Sequence, residues 1–141
     1  MQNKDILFPV CAMVLLTVIM QFALLRARGG AIRRAKVRLQ EIAGADKFDQ
    51  VMVGTENISD HFENLFEVPV LFYVAAVAIL ALQLTDPFYV IAAWAFVILR
   101  YVQSYIHCTN NRIKHRFYAY FLSSMLVWVI WARIAYQLLN S

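Results

Sequence analysis

The chain has few of the residues that organise disulfide-rich or metal-binding domains. Its 141 residues include only 2 cysteines, 3 prolines and 4 glycines. Cys11 and Cys108 are far apart in the sequence, and two such cysteines form neither a disulfide framework nor a metal-ligand spacing. The sequence also contains no glycine-rich phosphate loop, catalytic triad or metal-ligand cluster. We therefore expect no metal site and no chemistry of those kinds.

Charged residues are also scarce, at 16% of the chain, whereas hydrophobic residues make up 62%. The mean hydropathy is +0.59. A soluble domain of this length has too little interior to hide so much apolar surface, and long apolar runs are typical of membrane spans. The net charge of +4 is modest and unevenly placed. We interpret it as setting the membrane topology and contacting membrane lipids, with no nucleic acid as partner.

Four apolar stretches predict an all-α integral membrane four-helix bundle, formed as one domain over residues 1–141. The spans are expected at about 6–27, 61–84, 87–109 and 116–139, with a cytoplasmic loop over 28–60. The first run is uncharged and long enough to cross a hydrocarbon core of roughly 30 Å. It lacks a basic leader and a small-residue cleavage site, so we expect a retained helix and not a signal peptide.

Basic residues gather in the first and third connections and are absent from the second. They are Arg26, Arg28, Arg33, Arg34, Lys36, Arg38 and Lys47 in the first, and Arg112, Lys114 and Arg116 in the third. The positive-inside rule then places both connections in the cytoplasm and both termini outside it.

The pair Gly29-Gly30 is expected to end the first helix, because each glycine costs about 1 kcal/mol relative to alanine. Residues 31–42 then alternate basic and apolar side chains at helical spacing. This pattern suits an interfacial helix on anionic headgroups, and a solvated basic linker is the alternative.

Arg100 lies inside the third apolar run. An arginine at the bilayer centre costs roughly 2.5–3.5 kcal/mol, so such residues face a bundle interior, a cavity or a partner. At about 100° per residue, Tyr101, Tyr105 and Arg112 fall within roughly 40° of one another on one helix face. A cation and two phenols on one stripe at a membrane boundary indicate a binding site. The alternative is that the two tyrosines belong to the aromatic belt.

Polar residues open the second predicted helix. Asn64 and Glu67 are three residues apart and share a face if that helix is continuous. Glu67 is costly against lipid, so a cationic partner is expected, either Arg100 or Arg112. Such a pair would lock the second helix to the third, and it is compatible with a ligand site at its border. Pro69 suits a first turn or marks a kink.

These motifs resemble the MAPEG family, the membrane-associated proteins in eicosanoid and glutathione metabolism. The segment Glu-Asn-Leu-Phe-Glu-Val-Pro, which contains Asn64 and Glu67, is similar to a bacterial version of the family's second-helix signature. Arg100-Tyr101-x-x-x-Tyr105, followed by Arg112, is similar to the third-helix motif. Family members are homotrimers of four-helix subunits that bind glutathione between neighbouring subunits, near the cytoplasmic face. The resemblance thus implies a homotrimer, glutathione as co-substrate and, for a bacterial member, the inner membrane.

The resemblance also implies roles for individual residues. Arg112 would be the catalytic residue that activates the glutathione thiol. The substrate-binding residues would be Asn64, Glu67, Arg100, Tyr101, Tyr105 and Arg26, with Arg28 as the alternative to Arg26. The activity implied is that of a transferase or peroxidase acting on a lipophilic small molecule, an electrophile from the bilayer.

Two acidic residues depart from the family pattern. Asp60 stands where glutathione-using members carry an arginine four residues before the asparagine, and Glu63 lies beside Asn64. Carboxylates there would repel an anionic ligand. This departure keeps a second hypothesis open, a MAPEG-fold membrane protein that binds a lipid or another amphiphile without transferase activity.

Overall fold

The computed structural model describes residues 2–109 and 112–140, and the regular elements in these ranges are all helical. They are α1 (Leu7–Ala35), α2 (Ala45–Val51), α3 (Glu56–Asn64), α4 (Val68–Ala81), α5 (Pro87–Thr109) and α6 (Ile113–Leu139). Short 3-10 turns over Asn3–Ile6 and Leu39–Ile42 precede α1 and α2. The predicted all-α fold is confirmed.

Four stretches of the described chain are long and apolar enough to cross a membrane. They are Asn3–Ala35, Glu56–Ala81, Pro87–Thr109 and Ile113–Leu139. Between 28% and 44% of the most apolar window of each stretch is buried inside the chain. Most of the apolar side chains therefore point outwards, as expected for helices in contact with lipid or with another subunit.

The core lies where α1, α4, α5 and α6 meet. Small side chains, among them Ala75 and Ala93, let the helices approach closely. The rings of Phe72 on α4 and Phe96 on α5 stack with their centroids 4.5 Å apart. Asp86 directly precedes α5. It accepts the backbone N–H of Tyr89 at 3.0 Å and pairs with Arg133 of α6 at 2.5 Å. The ring contact thus joins α4 to α5, and the ion pair joins the start of α5 to α6.

Helix α1 is longer than the sequence predicts. It continues through Gly29 and Gly30 to Ala35, and it ends at Lys36, whose φ of 52° is left-handed. The predicted break at the glycine pair is therefore wrong, as is a helix over residues 31–42. The end of α1 is held from outside, because Arg28 Nη2 donates to Ser59 Oγ of α3 at 3.0 Å. This tertiary contact offsets the weak helix propensity of two glycines.

The structure also corrects the single helix expected over residues 61–84. Helix α3 ends at Asn64 and α4 begins at Val68, and Glu67 between them has a non-helical backbone with φ −92° and ψ −97°. Pro69 occupies the first turn of α4, where its missing N–H costs nothing. In a continuous helix the same proline would leave the carbonyl of Leu65 without its donor. The chain interrupts the helix there instead.

Candidate functional site

A groove of about 240 Å³ opens where the α3–α4 interruption faces α5 and the start of α6. We call it the helix-break groove. Its lining residues are Asn64, Glu67, Gln103, Ile113, Arg116, Phe117 and Tyr120. Asn64 and Glu67 therefore line the same groove. They do so across a break in the helix and not by helical spacing.

Arg100 lies directly behind this groove. Its side chain is fully buried in the bundle interior, which is one of the three placements that the sequence left open for it. Nη1 donates to Gln103 Oε1 at 3.0 Å, and the guanidinium carbon lies 5.3 Å from the ring centroids of Phe96 and Tyr120. Among the described residues, Nε and Nη2 have no hydrogen-bond acceptor. Gln103 and Tyr120 therefore connect a buried, incompletely satisfied cation to the groove.

The predicted ion pair of Glu67 is not formed. Within the described chain, Glu67 makes no ion pair with Arg100 or with Arg112. Its side chain is exposed at the groove, and its charge acts on the Arg100 guanidinium only from a distance. The carboxylate of Glu67 at the groove and the buried guanidinium of Arg100 behind it thus form no direct ion pair.

A second buried polar layer lies one turn further along α5. Ser104 Oγ lies 2.8 Å from the backbone carbonyl of Arg100, and His61 Nε2 of α3 lies 2.6 Å from the same hydroxyl. Both contacts are satisfied when the hydroxyl donates to the carbonyl and His61 donates through Nε2. The ring of His107 lies 4.7 Å from that of His61. Sequence reasoning assigned these residues no role, although Gln103, Ser104 and His107 follow Arg100 at helical spacing.

The predicted stripe of two tyrosines and an arginine is not a continuous face of one helix. Tyr101 donates its hydroxyl to the carbonyl of Ala12 on α1 at 2.8 Å, so it faces α1 and not the groove. Tyr105 is 69% exposed. Helix α5 ends at Thr109, and the exposed Arg112 is the residue that precedes α6. Arg112 has an extended backbone, with φ −69° and ψ 108°, so it does not continue the helical spacing on which the stripe depends.

The two candidate arginines of α1 point to different places. Arg28 contacts Ser59 and lies 5.6 Å from the ring of Phe48, in a separate groove that Asp60 also lines. Arg26 is exposed on another face of α1. In a single subunit, neither arginine reaches the helix-break groove. Asp60 likewise lies beside Arg28 and does not line that groove.

Four apolar helices around a core that contains a buried arginine define a polytopic helical membrane protein. The model of the MAPEG family matches residues 6–136, and the chain belongs to that family. No curated protein and no solved structure gives a significant match to the chain. The protein is thus an integral membrane protein of a family that functions in glutathione and eicosanoid metabolism and commonly uses glutathione.

Proposed function

We propose that this protein is a membrane-bound glutathione-dependent transferase or peroxidase whose second substrate is a lipophilic electrophile from the bilayer. The observation that carries the proposal is the environment of Arg100. A buried guanidinium is stabilised by an anion, and here two of its nitrogens lack an acceptor among the described residues. Glutathione has two carboxylates and an ionisable thiol. Family membership supports the choice of glutathione among anionic ligands.

The groove has complementary groups for the rest of the tripeptide. The exposed carboxylate of Glu67 suits the ammonium group of glutathione, and the side-chain amides of Asn64 and Gln103 suit its peptide bonds. Arg112 is proposed to stabilise the thiolate. One arginine at about 4 Å, at an effective dielectric near 20, contributes about 4 kcal/mol. Lowering the pKa of a thiol by two units takes roughly 2.7 kcal/mol, so one arginine is sufficient.

We further propose that the complete site is shared between the subunits of a homotrimer. The groove of one chain, about 240 Å³, is smaller than the roughly 300–1,000 Å³ of pockets that enclose drug-sized ligands. Tyr105, Arg112 and Arg26 are exposed and lie outside the groove of their own chain. A neighbouring subunit would supply them. We also propose that the site lies on the cytoplasmic side of a bacterial inner membrane, with both termini outside. The basic first and third connections support this orientation.

Calorimetric titration of glutathione into the detergent-solubilised protein tests the proposal. We expect saturable binding with proton release, and loss of the proton release in Arg112→Ala. Glu67→Gln should weaken binding by about tenfold, since it removes one charge-assisted hydrogen bond. Asp49→Asn is the matched control, because Asp49 lines the groove beside Arg28 and not the helix-break groove. Turnover of a generic aryl halide or a lipid hydroperoxide completes the test.

The second candidate function is binding of a lipid or another amphiphile without transferase activity. It is favoured by a wholly apolar groove of about 250 Å³ between α5 and α6. Its lining residues are Phe88, Ile91, Ala92, Ala95, Leu126 and Val129. No heat of binding at millimolar glutathione, together with a co-purifying lipid, would contradict the first proposal and support this one.

A further inference from the structure

A groove of about 490 Å³ follows the outer face of α1 near its end. Its lining residues are Phe22, Leu25, Arg26, Gly29, Gly30 and Arg33, and we call it the glycine groove. Phe22, Arg26, Gly30 and Arg33 are separated by four, four and three residues, so they follow one face of the helix. The groove is distinct from the helix-break groove, with which it shares no lining residue.

The charge of the glycine groove is of one sign. Its two ionisable residues are Arg26 and Arg33, which lie about 10 Å apart along the helix axis. Among the described residues, neither side chain forms a hydrogen bond or an ion pair. Phe22 and Leu25, which precede Arg26 in the helix, are 63% and 57% exposed. Two unpaired cations therefore lie next to exposed apolar side chains, at the point where the uncharged part of α1 ends.

The two glycines have no explanation within the chain. Helix α1 continues through them although glycine weakens a helix by about 1 kcal/mol per residue. A Cβ built on either glycine meets nothing within 4 Å. No neighbouring segment among the described residues therefore requires the absence of a side chain there. What the glycines provide is open space between two arginines, which lets a ligand approach the backbone closely.

We propose that the glycine groove binds the headgroup of an anionic phospholipid. The phosphate lies over Gly29 and Gly30, and Arg26 and Arg33 hold it from either side. One acyl chain lies along Phe22 and Leu25. A basic cluster at the end of a span is a recognised form of anionic-lipid contact. The exposed apolar side chains select a lipid over a soluble phosphate, because only a lipid covers both the cations and the exposed aromatic ring.

Native mass spectrometry of the purified full-length protein tests the site, with phosphatidylglycerol and phosphatidylcholine of identical acyl chains as probes. We expect tighter binding of phosphatidylglycerol. Arg26→Gln and Arg33→Gln should each weaken it about fivefold, equivalent to about 1 kcal/mol per cation at 1.4 kcal/mol per tenfold. Arg34→Gln is the matched control, because it removes the same charge from an exposed residue outside the groove.

A second variant tests the open space. Gly30→Leu fills the groove with a good helix former, so it should abolish the preference for phosphatidylglycerol while the melting temperature is kept or raised. The proposal is overturned if Arg34→Gln weakens binding as much as Arg33→Gln, which would indicate a general charge effect. It is also overturned if inorganic phosphate displaces the lipid at equal concentration, or if the variants change the subunit number instead. Arg33 and Gly30 have no part in the proposed glutathione site, so Arg33→Gln and Gly30→Leu test the lipid site independently of the proposed function, whereas Arg26→Gln affects both sites.

Discussion

The buried polar side chains of α5 stabilise the interior of this protein through hydrogen bonds. Arg100, Gln103 and Ser104 follow each other on the face that packs against α3 and α6, and each has a partner across or along the helix. A buried polar group without a partner costs about 1–3 kcal/mol. Flat contacts of the guanidinium with Phe96 and Tyr120 add cation–π attraction. The residue pattern of this face therefore has a structural function besides its proposed part in ligand binding.

Replacement of Ser104 tests how much the His61 contact contributes. Ser104→Ala leaves the buried Nε2 of His61 without its partner, and we expect a loss of about 1–3 kcal/mol in the free energy of unfolding. Ser124→Ala is the control. Its hydroxyl is equally buried but bonds only to the carbonyl of Tyr120 in its own helix, so the loss should stay below about 1 kcal/mol. Unfolding in mixed detergent micelles measures both, and equal losses would contradict the assigned contact.

Among the elements, the two departures from the predicted helices have the largest consequences for the sites. Asn64 and Glu67 lie on either side of the interruption between α3 and α4, and both line the groove against α5 and α6. The unbroken end of α1 carries Arg28 to Ser59 of α3. The second span is interrupted between α3 and α4, although a continuous helix was expected. Helix α1 continues through Gly29 and Gly30, although a break was expected.

The glycines of α1 permit a test at this scale. Gly30→Ala should raise the free energy of unfolding by about 0.5–1 kcal/mol, because the position is helical and a Cβ meets no neighbour. Gly54→Ala, at a φ of 89°, should instead lower it by more than about 0.5 kcal/mol, since alanine is strained there. Both changes are measured by the same detergent unfolding. Destabilisation by Gly30→Ala would show that a second subunit or a ligand packs closely on that backbone.

At the scale of the whole molecule, more of the apolar residues in the spanning stretches face outwards than are buried inside the chain. Each of the four spanning stretches keeps most of its most apolar window outside the core of its own chain. Helices in membranes associate through close packing where small residues and polar groups permit it. In the proposed assembly of several copies, the exposed Tyr105 and Arg112, which are proposed site residues, would gain neighbours.

We expect native mass spectrometry in a mild detergent to give three copies of the 16.3 kDa chain. Saturating glutathione should stabilise this trimer against dissociation, because a ligand held between subunits binds the assembly and not the separated chains. The dissociation of the trimer at rising detergent concentration measures the effect, with a glutathione analogue that lacks the thiol as a comparison. A chain that stays monomeric in every mild detergent would contradict the shared site.

The sequence by itself determined the class and the family, and it predicted that Arg100 faces away from lipid. The bilayer provides no water for unpaired backbone groups, so four apolar runs must form helices. A cation in such a run faces a bundle interior, a cavity or a partner, because lipid solvates it poorly. Those are local constraints that composition and hydropathy express directly.

Only the tertiary structure decided which polar residues meet. Helical spacing grouped Tyr101 and Tyr105 with Arg112, but α5 ends at Thr109 and Tyr101 bonds to α1. His61 of α3 reaches Ser104 of α5 because α3 packs across α5, a contact between segments far apart in sequence. The free-energy differences that set a helix end or a break are about 1 kcal/mol per residue. Long-range contacts of similar strength outweigh them, so the helix ends and the composition of the site followed from packing and not from local propensity.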